Sequence, residues 1–510
     1  MELDPDTCYK AVASHDRRFD GRFFVGVSST GVYCRPVCAV RTPKRENCTF
    51  YESAAAAEKH GFRPCLRCRP ELAPGHGLAD MSGRLAQAAA TLIDEGFMTG
   101  AGVAQLAARI GVTERHLRRL FDTAFGVSVH EYAQTQKLLL AKRLLTDTGL
   151  PVTQVALAAG FGSVRRFHDV LKERYGLTPL AMRRRAADGM ADRLVFELGY
   201  RPPLAWAEML GFLAVRAVDG VDVVHGGVHV RTIAVEAGGH RHLGWVRLEH
   251  VPRRSVVRVT LAATLAHVIP QALGKVRRLC DLGCRPDIVD AHLGELAAQT
   301  PGMRLPGTFD GLEIAVRAII GQVISVVQAR RILARLVRIA GTPLPDAALA
   351  GLAQQAGHAP LSHVFPDAHA LAALPDADYQ AAGVPLGKVR SIRALARQVA
   401  AGEIRLDPHA APDDTVAQLR AIDGIGDWTA QYVAMRALGW PDAFPATDYA
   451  LRKVLGVSTV RAMHAATSQW APWRAYAAIH LWHRYEAAKA APGEPESHSE
   501  SHSENEEETA

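Results

Sequence analysis

The chain has 510 residues, of which 48% are hydrophobic and 22% charged, and its formal net charge is +7. That length exceeds what one hydrophobic core serves, so several domains are expected, and the composition excludes a disordered or fibrous chain. No run of about 18 uncharged apolar residues occurs, so no helical membrane span is expected.

The opening MELDPDTCYK is acidic and lacks an apolar stretch, so no secretory leader is expected and a cytoplasmic protein is. In that compartment paired cysteines hold a metal more often than a disulfide. The C-terminal stretch GEPESHSESHSENEEETA (493–510) carries seven Glu and no Lys or Arg, a low-complexity composition expected to be disordered. Without those seven charges the remainder stands at +14 rather than +7. A body that basic fits either a solvated basic surface or a polyanionic partner, most simply nucleic acid.

In chain order, the first informative segment holds two close cysteine pairs, Cys34/Cys38 in YCRPVC and Cys65/Cys68 in RPCLRCRP. Four thiolates in two such loops can close a tetrahedral zinc site. Cys280 and Cys284, in RLCDLGC, have no such arrangement and are expected in the core. The segment 22–70, through FFVGVSSTGVYCRPVCAVRTPKRENCTFY and GFRPCLRCRP, closely resembles the N-terminal domain of Ada-type methylphosphotriester-DNA methyltransferases. The resemblance implies one zinc ion held by Cys34, Cys38, Cys65 and Cys68. It further implies a methyl group accepted by Cys34 from a DNA phosphotriester, with Thr30, Arg41 and Arg67 on the DNA backbone. A metal-bound thiolate stays deprotonated yet nucleophilic, and arginines match phosphate oxygens bidentately.

Between about 82 and 186 the apolar residues recur at helical spacing. In VAQLAARIGVTERHLRRLF, Gly111 ends one helix and Thr113 can cap the next, which presents Arg115, Arg118 and Arg119. The grammar repeats in PVTQVALAAGFGSVRRFHDVLKERYGLTP, with Gly160 and Gly162 at the turn, Ser163 as cap, then Arg165, Arg166 and His168. Two helix–turn–helix units in tandem, each with a basic second helix, point to DNA reading. The stretch resembles an AraC-type DNA-binding domain, which implies recognition helices in successive major-groove segments of promoter DNA. An activator of that kind would also engage RNA polymerase.

Residues 190–300 alternate strand-like segments such as HVRTIAV and SVVRVTL with helical ones, an α+β unit. From 301 the chain reads as largely helical, interrupted by a Pro/Ala-rich connection before helices resume. In LRAIDGIGDWTAQYVAMRAL (419–438), Gly424 and Gly426 form a hairpin between two helical patterns, where backbone N–H groups can approach a phosphate. AFPATDYALRKVL then sets Asp448 at a loop-to-helix boundary. RLPGTFDGLEIAVRAIIGQVISV, DGIGDWTAQY and WRAYAAIHLWHRYE carry a resemblance, spanning 190–486, to AlkA-type 3-methyladenine DNA glycosylases of the helix–hairpin–helix class. It implies hydrolytic excision of alkylated bases with Asp448 as the catalytic carboxylate, either activating water or stabilising the oxocarbenium-like sugar. Trp428, Tyr432 and Trp482 fall on aromatic base-pocket positions, and Gln322 and Val323 on the wedge that fills the gap left by a flipped base. Relatives that also cleave the backbone carry a lysine where this chain has Trp428, so lyase chemistry is not expected.

The expectation is therefore a multidomain protein, mostly α with α+β parts. Its modules are a zinc domain (1–76), a tandem helix–turn–helix domain (82–186), an α+β domain (190–300), a helix–hairpin–helix domain (301–488) and an acidic tail (489–510). The expected function is alkylation-damage repair coupled to transcriptional activation on double-stranded DNA, with no membrane. The alternative is a transcription regulator whose glycosylase half is an inactive DNA-holding scaffold. No Pro-Cys-His-Arg motif is present, so the second methyltransferase domain of full-length Ada proteins is not expected.

Overall fold

The computed structural model describes residues 4–74, 84–183, 193–352 and 361–490. Almost all of the acidic tail lies outside them. Among the described residues no helix is long and apolar enough to cross a membrane.

The first unit is a four-stranded sheet ordered Cys48–Tyr51, Phe24–Val27, Val32–Cys34, Arg63–Pro64. Its last pair is parallel, Val32 opposite Arg63 and Tyr33 opposite Pro64, and the Cys65 N–H then donates to the Tyr33 carbonyl at 3.0 Å. That pairing brings two cysteine loops, remote in sequence, side by side. Helix Ala54–Lys59, capped by Ser53, packs on the sheet and carries the buried Glu58.

The next unit is built on one 19-residue helix, Val129–Asp147, which opens with a Ser128/Glu131 capping box. Helices Val103–Arg109 and Glu114–Phe125 precede it, and Val152–Ala158 and Val164–Tyr175 follow it. The two units repeat cap for cap. Thr113 and Ser163 accept the first-turn amides of the second helix, and Gly126 and Gly176 end it with φ of 67° and 64°.

A five-stranded antiparallel sheet follows, ordered Arg193–Gly199, Val256–Ala262, His240–Val251, Val228–Ala237, Asp222–His225. The helical part begins with Pro286–Leu293 and ends with Arg474–Ala490. Packing does not follow sequence order. Val289, Leu293 and Leu296 join the core of the helical part, whereas Leu344, Ala348 and Val364 pack with Trp245 and Val230 of the sheet. The segment read as a Pro/Ala-rich connection contains helices of its own, Asp346–Leu352, Ala368–Ala373 and Asp376–Ala382. Alanine favours helix, and Pro345 and Pro375 sit directly before helix starts, where a missing N–H costs nothing. Cys280 and Cys284 are buried, as their apolar surroundings imply.

Buried polar contacts join the first units. Glu58 accepts from Tyr33 Oη (3.1 Å) in its own unit and from Thr135 Oγ1 (2.8 Å) and Tyr175 Oη (2.8 Å) in the next. Burial outweighs these donors and pushes its carboxyl from 4.5 up to about 7. Between those values the native state keeps a proton that the unfolded chain has lost, so stability falls as pH rises through that window. The gap is worth roughly 3 kcal/mol. Glu58→Gln keeps the shape and a hydrogen-bonding head without the charge. It should therefore unfold at a higher temperature than wild type at pH 8, with the difference shrinking toward pH 5. A difference independent of pH would contradict this account of Glu58.

Candidate functional sites: a thiolate cluster and a carboxylate pocket

The sulfur atoms of Cys34, Cys38, Cys65 and Cys68 lie within 4.8 Å of one another. Tetrahedral zinc with bonds of about 2.3 Å sets its sulfurs roughly 3.8 Å apart, so the four residues fit that ion. Three of the four sulfurs have a backbone donor. The Arg67 N–H reaches Cys65 at 3.3 Å, the Arg35 N–H reaches Cys68 at 3.4 Å, and the Val40 amide lies against Cys38. Thr30, Arg41 and Arg67 are exposed. Arg35, next to Cys34, donates through Nε to Asp20 at 2.8 Å and through Nη1 to the Cys68 carbonyl at 3.1 Å, so a buried ion pair braces the loop.

On the helix–turn–helix units, Arg115, Arg118, Arg165 and Arg166 are exposed, while Leu117, Phe121, Phe167 and Leu171 of the same helices are buried. The basic faces remain outside the packing that joins the units. Arg118 pairs with Glu114 one turn earlier.

The second site centres on Asp448, which N-caps helix Tyr449–Leu455 through Oδ1 and the Leu451 N–H at 3.0 Å. Trp482 Nε1 donates to the same oxygen at 3.1 Å, and Trp428 Nε1 donates to Oδ2 at 2.8 Å. Three elements thus meet on one carboxylate: the cap, the helix Asp427–Arg436 and the helix Arg474–Ala490. The Trp428 and Tyr432 rings are parallel within 6° at 5.2 Å between centroids, too close to admit a third ring between them. Trp482 meets Tyr432 edge-on at 6.1 Å and stacks on Phe212 at 6.4 Å.

Behind the rings lie cations. Arg216 lies 3.9 Å and Arg436 4.9 Å from the Phe212 centroid, and Arg436 Nη1 donates to Tyr432 Oη at 2.8 Å. Burial alone would raise the Tyr432 hydroxyl, but Arg436 and Arg216 overcome it and hold the group below its ordinary value.

The sequence reading missed Phe212 and Arg436. Arg436 follows Trp428 and Tyr432 at four-residue intervals, which puts all three on one helix face and could have exposed it. Phe212 sits in LGFLAVRAV, a segment whose composition carries no signal of a site.

The hairpin turns at Gly424, φ 82°, and Gly426 caps the helix carrying Trp428. Both are exposed, so their backbone faces solvent. Gln322 ends helix Gly311–Gly321 and donates through Nε2 to the Gly424 carbonyl at 3.0 Å and Thr429 Oγ1 at 2.9 Å. Val323 beside it is fully exposed and has φ 60°. A β-branched residue in that region carries about 1–3 kcal/mol of strain, sustained only where the surroundings enforce it.

Residues 7–71 match the metal-binding domain of Ada, residues 106–185 a helix-turn-helix domain, and residues 195–310 the AlkA N-terminal domain. The chain is 37% identical to the probable bifunctional transcriptional activator/DNA repair enzyme AlkA of Mycobacterium tuberculosis, over 94% of this chain and 97% of that one. The chain belongs to this family of bifunctional AlkA proteins. Its C-terminal part is similar to the DNA-3-methyladenine glycosylase 2 of Escherichia coli, 34% identical over 57% of this chain and 97% of that protein. Its N-terminal part is similar to the bifunctional activator/repair enzyme Ada of Escherichia coli, 32% identical over 34% of this chain and 48% of that one. The thiolate cluster falls in the Ada-like part and Asp448 in the glycosylase-like part.

Gly424 gives a local test of the hairpin. A Cβ there would lie 2.4 Å from Ser391 Oγ, at a φ that L-residues disfavour. Gly424→Ala should destabilise the protein by about 1–3 kcal/mol in chemical denaturation and weaken binding to duplex DNA. Wild-type stability and affinity in that variant would contradict the assignment of a constrained turn.

Proposed function

We propose that the protein excises alkylated bases of the 3-methyladenine type by hydrolysis alone, and separately transfers a methyl group from DNA methylphosphotriesters to Cys34. The observation that carries the first activity is the carboxylate held by two indoles beside an aromatic wall. In base release the C1′–N bond breaks, its electron pair leaves with the base, and water adds to C1′ with loss of a proton. Three of the roughly four lone-pair sites of Asp448 are already taken by N–H donors. That leaves it better suited to stabilising positive charge on the sugar than to orienting and deprotonating water. Trp428 stands where lyase relatives carry lysine, so no amine is offered for a Schiff base and abasic sites should remain intact. The inactive-scaffold reading has less support, because passive DNA holding needs no carboxylate with three converging donors.

Trp428 and Trp482 would present ring faces to a flipped base, and electron-rich faces suit purines made cationic by alkylation. Val323 and Gln322 would occupy the gap in the duplex, and the Gly424–Gly426 hairpin would hold a phosphate.

In the N-terminal unit Cys34, Cys38, Cys65 and Cys68 would hold one zinc ion, which keeps thiolates deprotonated yet nucleophilic at neutral pH. Cys34 would be the acceptor, as the likeness to the metal-binding domain of Ada suggests. Its sulfur attacks the methyl carbon, an S–C bond forms, the C–O bond breaks, and the phosphodiester leaves as an anion. The thioether has no route back, so the transfer is stoichiometric. Thr30, Arg41 and Arg67 would steady the DNA backbone. Arg115, Arg118, Arg165 and Arg166 would contact promoter DNA, with RNA polymerase as the further partner of an activator in the cytoplasm.

Asp448→Asn retains a capping side chain but replaces one acceptor oxygen, losing one indole bond along with the charge. Its single-turnover release of bases from methylated duplex DNA should fall by about 10²–10³-fold while DNA affinity stays near that of wild type. Release at the wild-type rate would mean that another carboxylate does the work. For the other site, methyl uptake from phosphotriester-containing DNA should plateau at one per chain in wild type. Cys34→Ser should take up none, and uptake by that variant would reassign the acceptor.

A further inference from the structure

We infer that Lys388 is the positioning residue of the wedge at Val323, an inference that rests on the glycosylase reading above. Lys388 stands in the first turn of helix Leu386–Ala400, where a cation opposes the helix's own dipole. Its ammonium is spent on another helix. Nζ donates to the Ile320 carbonyl at 2.9 Å and the Gln322 carbonyl at 2.7 Å, at the C-terminal end of helix Gly311–Gly321, where a cation is favoured. A residue that breaks a local rule on its own element to serve another marks a constraint from function or strain.

The Gln322 carbonyl belongs to the peptide unit that ends at the Val323 nitrogen. Fixing that peptide plane fixes one side of the rotation that gives Val323 its φ of 60°. The other restraint on Gln322 comes from the hairpin, through its side chain on Gly424 and Thr429. One turn beyond Lys388, Ser391 Oγ donates to the Asp423 carbonyl at 2.6 Å. The first two turns of this helix therefore grip the wedge loop with Lys388 and the hairpin with Ser391, setting the spacing between the group that enters the duplex and the group that meets the phosphate. Val323 itself makes no contact that would hold it there, being fully exposed.

A wedge matters when a base must leave a paired stack and matters little when no stack has to be opened. The test compares excision of one alkylated base in two duplexes, one with its normal partner and one opposite an abasic site. Lys388→Met should slow single-turnover release from the paired duplex about tenfold, the worth of a charge-assisted hydrogen bond, and leave release opposite the abasic site within about twofold. Lys388→Arg, which keeps the donors, should recover most of the paired rate. Equal loss on both substrates would show a merely structural role, and no loss on either would show that the wedge does not need Lys388; both overturn the inference. Absence of release by wild type from both duplexes would be a different result, removing the glycosylase reading and this inference with it.

Discussion

An ionised carboxylate accepts hydrogen bonds and donates none, and the helical half of the protein is arranged around satisfying one of them. Asp448 takes an amide from its own helix and an indole N–H from each of two others. Those three bonds fix the angle of helix Tyr449–Leu455, the rotamers of Trp428 and Trp482, and hence the ring faces that line the pocket. Because Trp428 stacks on Tyr432 and Tyr432 is tied to Arg436, the constraint passes along a helix whose buried side includes Thr429, the anchor of Gln322. The hairpin, Gln322 and the Asp448 carboxylate all meet that one helix.

Motifs that act through local geometry were legible in the sequence. The glycine turns and serine or threonine caps of the two helix–turn–helix units, the cap position of Asp448, and the close cysteine pairs each need only a few consecutive residues to declare themselves. What was not legible depends on contacts between distant segments. Phe212 reaches the pocket from the α+β unit across more than 200 residues of chain, and nothing in its own helix announces this. The helices within 343–382 were read as a connection because Pro and Ala suggest irregular chain when counted together. Placed residue by residue, Pro345 and Pro375 stand just before helices and the alanines fill them. Lys388 was invisible for a related reason, since its partner carbonyls are backbone atoms, which carry no sequence signature.

The modules are distinct in sequence but not in packing. The second helix–turn–helix unit shares one hydrophobic cluster with the antiparallel sheet, Phe167 and Leu171 with Phe196 and Leu248. The first meets the helical half through Arg109 and Asp407 at 2.7 Å, and the ion pair of Glu95 with Arg278 ties the segment before it to the α+β unit. The cysteine unit touches both neighbours. Asp20 holds Arg35 with its carboxylate while its carbonyl accepts from Arg201 Nε at 3.0 Å, and Lys142 pairs with Glu71 where both are almost fully buried. Buried pairs such as these contribute little net stability, since desolvation offsets attraction, but they penalise any arrangement that separates the partners. They specify one way for the units to dock.

Charge is also polarised across the carboxylate site. Contacts run in sequence from the Asp448 carboxylate through Trp428 and Tyr432 to the Arg436 guanidinium, negative at one end and positive at the other. In the proposed excision the sugar gains positive charge while the departing base takes the electron pair. A carboxylate fixed beside the sugar would stabilise that developing charge without moving its own dipoles, the condition under which fixed electrostatics lower a barrier most. Tyr432 and Arg436 are buried, so water is kept from that end of the axis, and with less screening the charge there acts more strongly.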